Sequence, residues 1–192
     1  PYYNKPTQEG LYQHYKTIHD NCGLPIILYS VPSRTGVEIS VDTVARLAKL
    51  PRIKGIKDAH TDLARPLQMR LVTPDDFSLI SGEDATIAAY LAQGGHGCIS
   101  VTANVAPKEC ADMHNAWMAK DWDTFLTLRD RLLPLHKALF VKTSPAPAKY
   151  ALSRLGRGLD EMRLPLVPAS ESCRAVVDAA LDYAGLLNKK AA

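Results

Sequence analysis

Apolar positions along the chain fall into two alternating patterns. Short runs rich in Ile, Leu and Val at about 26–31, 53–57, 77–81 and 97–101 read as strands. They are continuous enough to belong to a parallel sheet covered by helices. Between them, apolar residues recur at three- and four-residue spacing. This predicts helices at 41–49, with Ser40 as N-cap and Pro51 past its end, at 62–71, and at 84–92 ending at Gly94 and Gly95. An amphipathic helix is predicted ahead of the first strand at 8–21, with Leu11, Tyr15 and Ile18 on one side and Gly23 and Pro25 as its stop. From about residue 106 strands cease. Helices are predicted at 107–119, 121–139, 144–155 and 171–184, the last capped by Ser170 and stopped at Gly185, with Pro134 expected to kink the second of them.

Four strand-helix steps in a row argue for half of a barrel or for a doubly wound sheet. Within the strands, period 2 puts Ile53, Gly55 and Lys57 on one face, and Ile27, Tyr29 and Val31 on one face of the strand before. The 28 residues from Tyr29 to Lys57 are one strand-helix-strand unit, so a phenol and an amine come to the same ends of adjacent parallel strands. Those two groups suit imine chemistry. A lysine amine, ordinarily protonated at neutral pH, becomes a nucleophile toward a ketone when burial in an apolar barrel lowers its pKa. The resulting carbinolamine must lose water, which calls for a proton donor and acceptor at hand, and Tyr29 is placed for that. Arg34, five residues beyond the phenol, carries a fixed planar cation suited to a carboxylate, which points to an acidic substrate. The barrel is preferred because these residues sit at C-terminal strand ends, where barrel enzymes place their chemistry.

Composition narrows the function classes. With 46% hydrophobic and 22% charged residues the chain reads as an ordinary globular protein. A net charge of +3, with Lys and Arg interleaved among Asp and Glu, provides no basic stripe for nucleic acid. No run approaches the ~20 apolar residues that cross a bilayer. Cys22, Cys98, Cys110 and Cys173 are widely spaced without a Cys-x-x-Cys pair and read as reduced thiols in a cytoplasmic protein. The six histidines form no metal-ligand motif, so neither a metal nor a cofactor is expected. His60 reads as a polar loop residue. Gly94-Gly95-His96-Gly97 precedes a strand instead of opening a helix, so it reads as a tight turn and not a phosphate cradle. Glu83 and Asp84 read as the acidic first turn of a helix, and Trp117 and Trp122 as packing residues.

Tyr29-Ser30-Val31-Pro32-Ser33-Arg34-Thr35-Gly36 together with Gly55-Ile56-Lys57-Asp58 resembles the signature pair of the dihydrodipicolinate synthase and N-acetylneuraminate lyase superfamily of class I, pyruvate-dependent aldolases. The likeness extends to Pro1-Tyr2-Tyr3-Asn4-Lys5-Pro6, Ser81-Gly82-Glu83-Asp84, Gly94 to Ser100, and Arg163-Leu164-Pro165-Leu166. It implies a (β/α)8 TIM barrel in which Lys57 forms a Schiff base with pyruvate and Tyr29 relays protons. It further implies that Tyr3 belongs to a relay reaching the site from the neighbouring subunit, and that Gly82 and Ile99 shape the pyruvate pocket. Tyr2 matches an aromatic position at a dimer interface where lysine inhibits some members. Arg34 is similar to the arginine that dihydrodipicolinate synthases use for the carboxylate of aspartate semialdehyde. Sialate and 2-keto-3-deoxy sugar acid aldolases, which share the imine chemistry, are the alternative reading.

A (β/α)8 barrel needs about 250 residues, whereas this sequence has 192. It is therefore expected to be the C-terminal part of a longer polypeptide, supplying strands 5–8 and a C-terminal helical region. The expected domains are 1–120, half of the barrel, and 121–192, helices that in this family pack between subunits of a homotetramer, a dimer of dimers. A half-barrel that binds or regulates without catalysing is the remaining possibility.

Overall fold

Helices in this chain begin where the sequence offers a cap. Thr7, Ser40, Asp121 and Ser170 each accept a hydrogen bond from a backbone N–H of the first helical turn, satisfying donors that the helix leaves open. A computed structural model describes residues 1–187, and residues 188–192, the end of the expected C-terminal domain, lie outside the described residues. Backbone contacts divide the chain into two compact units, Pro1–Ile99 and Ser100–Ala192.

The first unit holds α1 (Gln8–Asn21), β1 (Ile26–Ser30), a single helical turn α2 (Pro32–Thr35), α3 (Val41–Leu47), β2 (Ile53–Asp58), α4 (Arg65–Arg70), β3 (Ser78–Ser81), a 3-10 turn at Asp84–Thr86, α5 (Ile87–Ala92) and β4 (Gly97–Cys98). The strands form one parallel sheet in sequence order, β1-β2-β3-β4. One face is the core. Leu28, Ile56 and Leu79 point into it with Leu11, Val44, Leu47 and Met69 from the helices, all essentially without solvent contact. Ile27, Tyr29 and Lys57 lie on the opposite face. The register aligns Tyr29 with Lys57, Lys57 with Ile80 and Ile80 with Gly97 in one row across the sheet.

Two elements differ from expectation for local reasons, and one stands where none was predicted. Pro32 at the first helical position and Gly36 in the left-handed region (φ 70°) close this helical turn directly after β1. The helix expected at 62–71 begins only at Arg65, since the Asp62 carboxylate accepts from Ala64 N–H and holds a turn. The strand expected at 97–101 stops at Cys98, although Ile99 N–H still donates to Ser81 O at 2.9 Å. Gly94 takes φ 91° in a tight turn, and His96 ties the end of that turn to β3, its N–H donating to Leu79 O while its Nδ1 accepts from Leu79 N–H.

The second unit contains a 3-10 turn at Thr102–Asn104, then α6 (Pro107–Ala119), α7 (Trp122–Ala138), α8 (Ala146–Arg154) and α9 (Glu171–Tyr183). Helix α6, expected with the strands, is grouped by its contacts with α7, along which it packs. Leu132, Leu135, Val177 and Leu181 form the centre of this unit, and Trp117 packs edge to face with Trp122 and tilted against Phe125, ring centroids 5.1 Å apart in both pairs. Helix α7 continues through Pro134. Among the described residues no helix is long and apolar enough to cross a membrane.

Candidate active site

Parallel pairing of β1 and β2 makes Tyr29 and Lys57 direct neighbours, and their shared face sends both side chains the same way. The Lys57 Nζ lies 4.3 Å from the centroid of the Tyr29 ring, over its face. The lysine is half-buried and the tyrosine 44% exposed, so within the described chain this face is only partly closed. An ammonium over an aromatic face is itself favourable, so the arrangement brings the two groups together.

The ladder continues one step beyond the strand ends. Ala59 N–H donates to Ser30 O, Gly82 N–H to Asp58 O and Ile99 N–H to Ser81 O, each at 2.8–2.9 Å. Gly82 is thereby set against the lysine stem, where a Cβ would stand 2.8 Å from the Ala59 Cβ and 3.1 Å from Lys57 Cε. The absence of a side chain at 82 is what leaves the lysine its room. Ile99 occupies the corresponding position after β4 and is half-exposed.

Arg34 lies exposed on the helical turn after β1. Tyr3 and Tyr2 are 83% and 70% exposed, so neither packs against the Tyr29–Lys57 pair within this chain. Tyr3 holds a left-handed backbone (φ 54°), uncommon for a non-glycine residue. The structure therefore joins Tyr29, Lys57 and Gly82, sets Ile99 at the edge of the same sheet end, and leaves Arg34, Tyr3 and Tyr2 as surface groups.

A charged cluster at the same end was not foreseen from the sequence. Asp58, 2% exposed, points to the core face directly after Lys57 and is paired with Arg65, whose Nε donates to Asp58 Oδ2 at 3.0 Å. Arg65 also reaches Ile39 O and the Glu38 carboxylate, which accepts in turn from His60 Nε2 at 3.0 Å. His60 is thus a loop residue hydrogen-bonded to the end of that chain, its Nδ1 accepting from Asp62 N–H. The sequence signal that could have found the pair is an aspartate placed by period 2 on a buried strand face, since such a charge demands a partner. Among the described residues no three His, Cys, Asp or Glu side chains are gathered as a metal ion would require.

Residues 1–184 match the Dihydrodipicolinate synthetase family. The chain belongs to that family. It is 60% identical over 187 residues to the 4-hydroxy-tetrahydrodipicolinate synthase of Rhodospirillum centenum, a match covering 97% of this chain and 64% of that protein. The chloride-inhibited dihydrodipicolinate synthase of Acinetobacter baumannii complexed with pyruvate is similar with a TM-score of 0.92 at 45% identity, over 97% of this chain and 64% of that one. The enzyme of Cyanidioschyzon merolae with lysine bound gives a TM-score of 0.93 at 35% identity, over 97% and 64%. This dihydrodipicolinate synthetase family chain thus spans about 64% of the length of the relatives it matches.

Proposed function

We propose that the chain carries the Schiff-base half of a 4-hydroxy-tetrahydrodipicolinate synthase site, condensing pyruvate with aspartate semialdehyde on the way to lysine. The observation that carries this reading is the Lys57 amine held over the Tyr29 ring across two adjacent parallel strands. Lys57 attacks the ketone of pyruvate, water leaves the carbinolamine, and the imine tautomerises to an enamine whose carbon attacks the aldehyde. Tyr29 moves the protons, with Tyr3 belonging to a relay that reaches the site from the neighbouring subunit. Gly82 leaves space for the lysine and, with Ile99, bounds the pyruvate pocket. Arg34, a permanent cation, takes the carboxylate of the second substrate, which a polyhydroxylated sugar acid would not need in that place.

The reading includes a (β/α)8 barrel of which β1 to β4 form the second half, residues 1–120 within it and the helices from 121 onward outside it. Closure of such a barrel over the face bearing Tyr29 and Lys57 supplies the desolvation that the amine needs. No cofactor or metal enters the reaction, because the lysine itself is the covalent carrier. Relatives bound to pyruvate and to lysine support the substrate and a feedback role for lysine, with Tyr2 at that interface. The homotetramer, a dimer of dimers, and the cytoplasmic location belong to the same reading, and the four free cysteines fit a reducing compartment.

The test is borohydride reduction in the presence of pyruvate of the polypeptide that contains this sequence, with peptide mass spectrometry as the readout. A stable adduct on Lys57 is expected. An unmodified Lys57 refutes the mechanism, and faster turnover of a sugar acid than of aspartate semialdehyde reassigns the substrate.

A further inference from the structure

Arg65 is a buried cation, 4% exposed, whose fork is shared among three residues on two other segments. Its Nε donates to Asp58 Oδ2 at 3.0 Å, its Nη2 to Ile39 O at 3.0 Å, and its Nη1 to Glu38 Oε2 at 3.3 Å. Asp58 is the residue after Lys57. Glu38 and Ile39 end the segment that leaves β1 after Tyr29 and carries Arg34. The other end of that segment is fastened as well, because Ile39 N–H donates to Ser30 Oγ at 3.2 Å and Ser30 pairs with Asp58 in the sheet. Inside the segment the Thr35 hydroxyl is within hydrogen-bond distance of Val31 O and Val37 O, which braces the turn bearing Arg34.

A buried ion pair returns little net stability, since the cost of taking two charges out of water offsets their attraction. What the guanidinium contributes is direction. Its planar fork satisfies a carboxylate, a second carboxylate and a carbonyl only in one relative arrangement. We propose that Arg65 is a positioning residue that fixes the Arg34 segment to the end of the Lys57 strand, and so sets the distance between the imine and the grip on the second substrate. This rests on the imine-forming reading of Lys57. The substrate-level consequence is asymmetric, because pyruvate needs only Lys57 and its neighbours, whereas the aldehyde substrate needs the Lys57-to-Arg34 spacing.

Arg65→Lys retains the charge and loses the fork. In the polypeptide that contains this sequence it should form the borohydride-trapped pyruvate adduct at the wild-type rate and keep the KM for pyruvate. It should raise the KM for aspartate semialdehyde by about tenfold, in line with the rate cost of small misplacements in a site. Glu38→Gln, at a half-exposed side chain, removes only the charge on the segment side and should raise the same KM in the same selective way; it decides the matter if Arg65→Lys does not fold. Both KM values rising together, an unchanged aldehyde KM, or adduct formation falling in parallel overturns the proposal. Wild-type protein that forms no adduct removes the reading of Lys57 instead, and the purpose assigned to the clamp with it.

Discussion

Gly82→Ala puts a single methyl where the structure allows none. Its Cβ would lie 2.8 Å from Ala59 Cβ, 3.3 Å from Ala59 Cα and 3.1 Å from Lys57 Cε. Carbon atoms settle at about 3.5–4.0 Å, so the contact with Ala59 is short by roughly 0.7 Å or more. Ala59 cannot rotate away, since its Cβ is fixed to backbone that Ser30 O holds by a hydrogen bond. Lys57 Cε, at the far end of a flexible stem, can swing aside. The strain therefore divides between a shift of the strand ends and displacement of the amine from the Tyr29 ring. Overpacking of this kind costs about 1–3 kcal/mol, which for a chain of this size lowers Tm by about 2–12 °C. A nucleophile moved by a fraction of an ångström to an ångström loses about ten- to a hundredfold in rate. Thermal unfolding monitored by circular dichroism reads the first effect, and the rate of pyruvate adduct formation under borohydride reads the second. Gly158→Ala is the control, because a Cβ at this exposed position meets nothing within 4 Å. If Gly82→Ala matches Gly158→Ala in both Tm and adduct rate, the steric account of position 82 is wrong.

Asp58→Asn removes the buried carboxylate from Arg65, leaving it only the half-exposed Glu38 carboxylate, and should lower stability by about 3 kcal/mol, seen as a lower urea midpoint at unchanged m-value. Gly95→Ala should be still harder to tolerate, because its Cβ would fall 2.2 Å from Tyr90 Cδ1 and 2.9 Å from Tyr90 O; yield of soluble protein and Tm check it. In an alkylation time course at neutral pH, Cys22, which is partly exposed, should react before Cys173, which is buried and whose thiol is pushed up by that burial. Equal labelling of the two would contradict the packing of α9.

Legibility from sequence tracked the range of the interactions. Helix starts at Gln8, Val41 and Glu171 were readable because Thr7, Ser40 and Ser170 act on backbone within one turn. The shared face of Tyr29 and Lys57 was readable because strand period is local, and the parallel register then made them Cα partners. The turn at Pro32–Thr35 was not foreseen and the late start of α4 was misjudged, since a few hydrogen bonds from Gly36 and Asp62 outweigh weak propensities. Arg65 was lost for another reason. Seven residues separate it from Asp58 and 27 from Glu38, and nothing periodic links such positions.

By itself the sequence determined the order of strands and helices, their caps, and which face of each strand carries the phenol and the amine. Only the tertiary structure decided that Gly82 borders the lysine stem and that Asp58 and Arg65 meet in the core. The division is physical: caps and periodicity are set by neighbours along the chain, whereas a close approach or a charge partner exists only once the sheet register and the docking of its helices bring distant residues together.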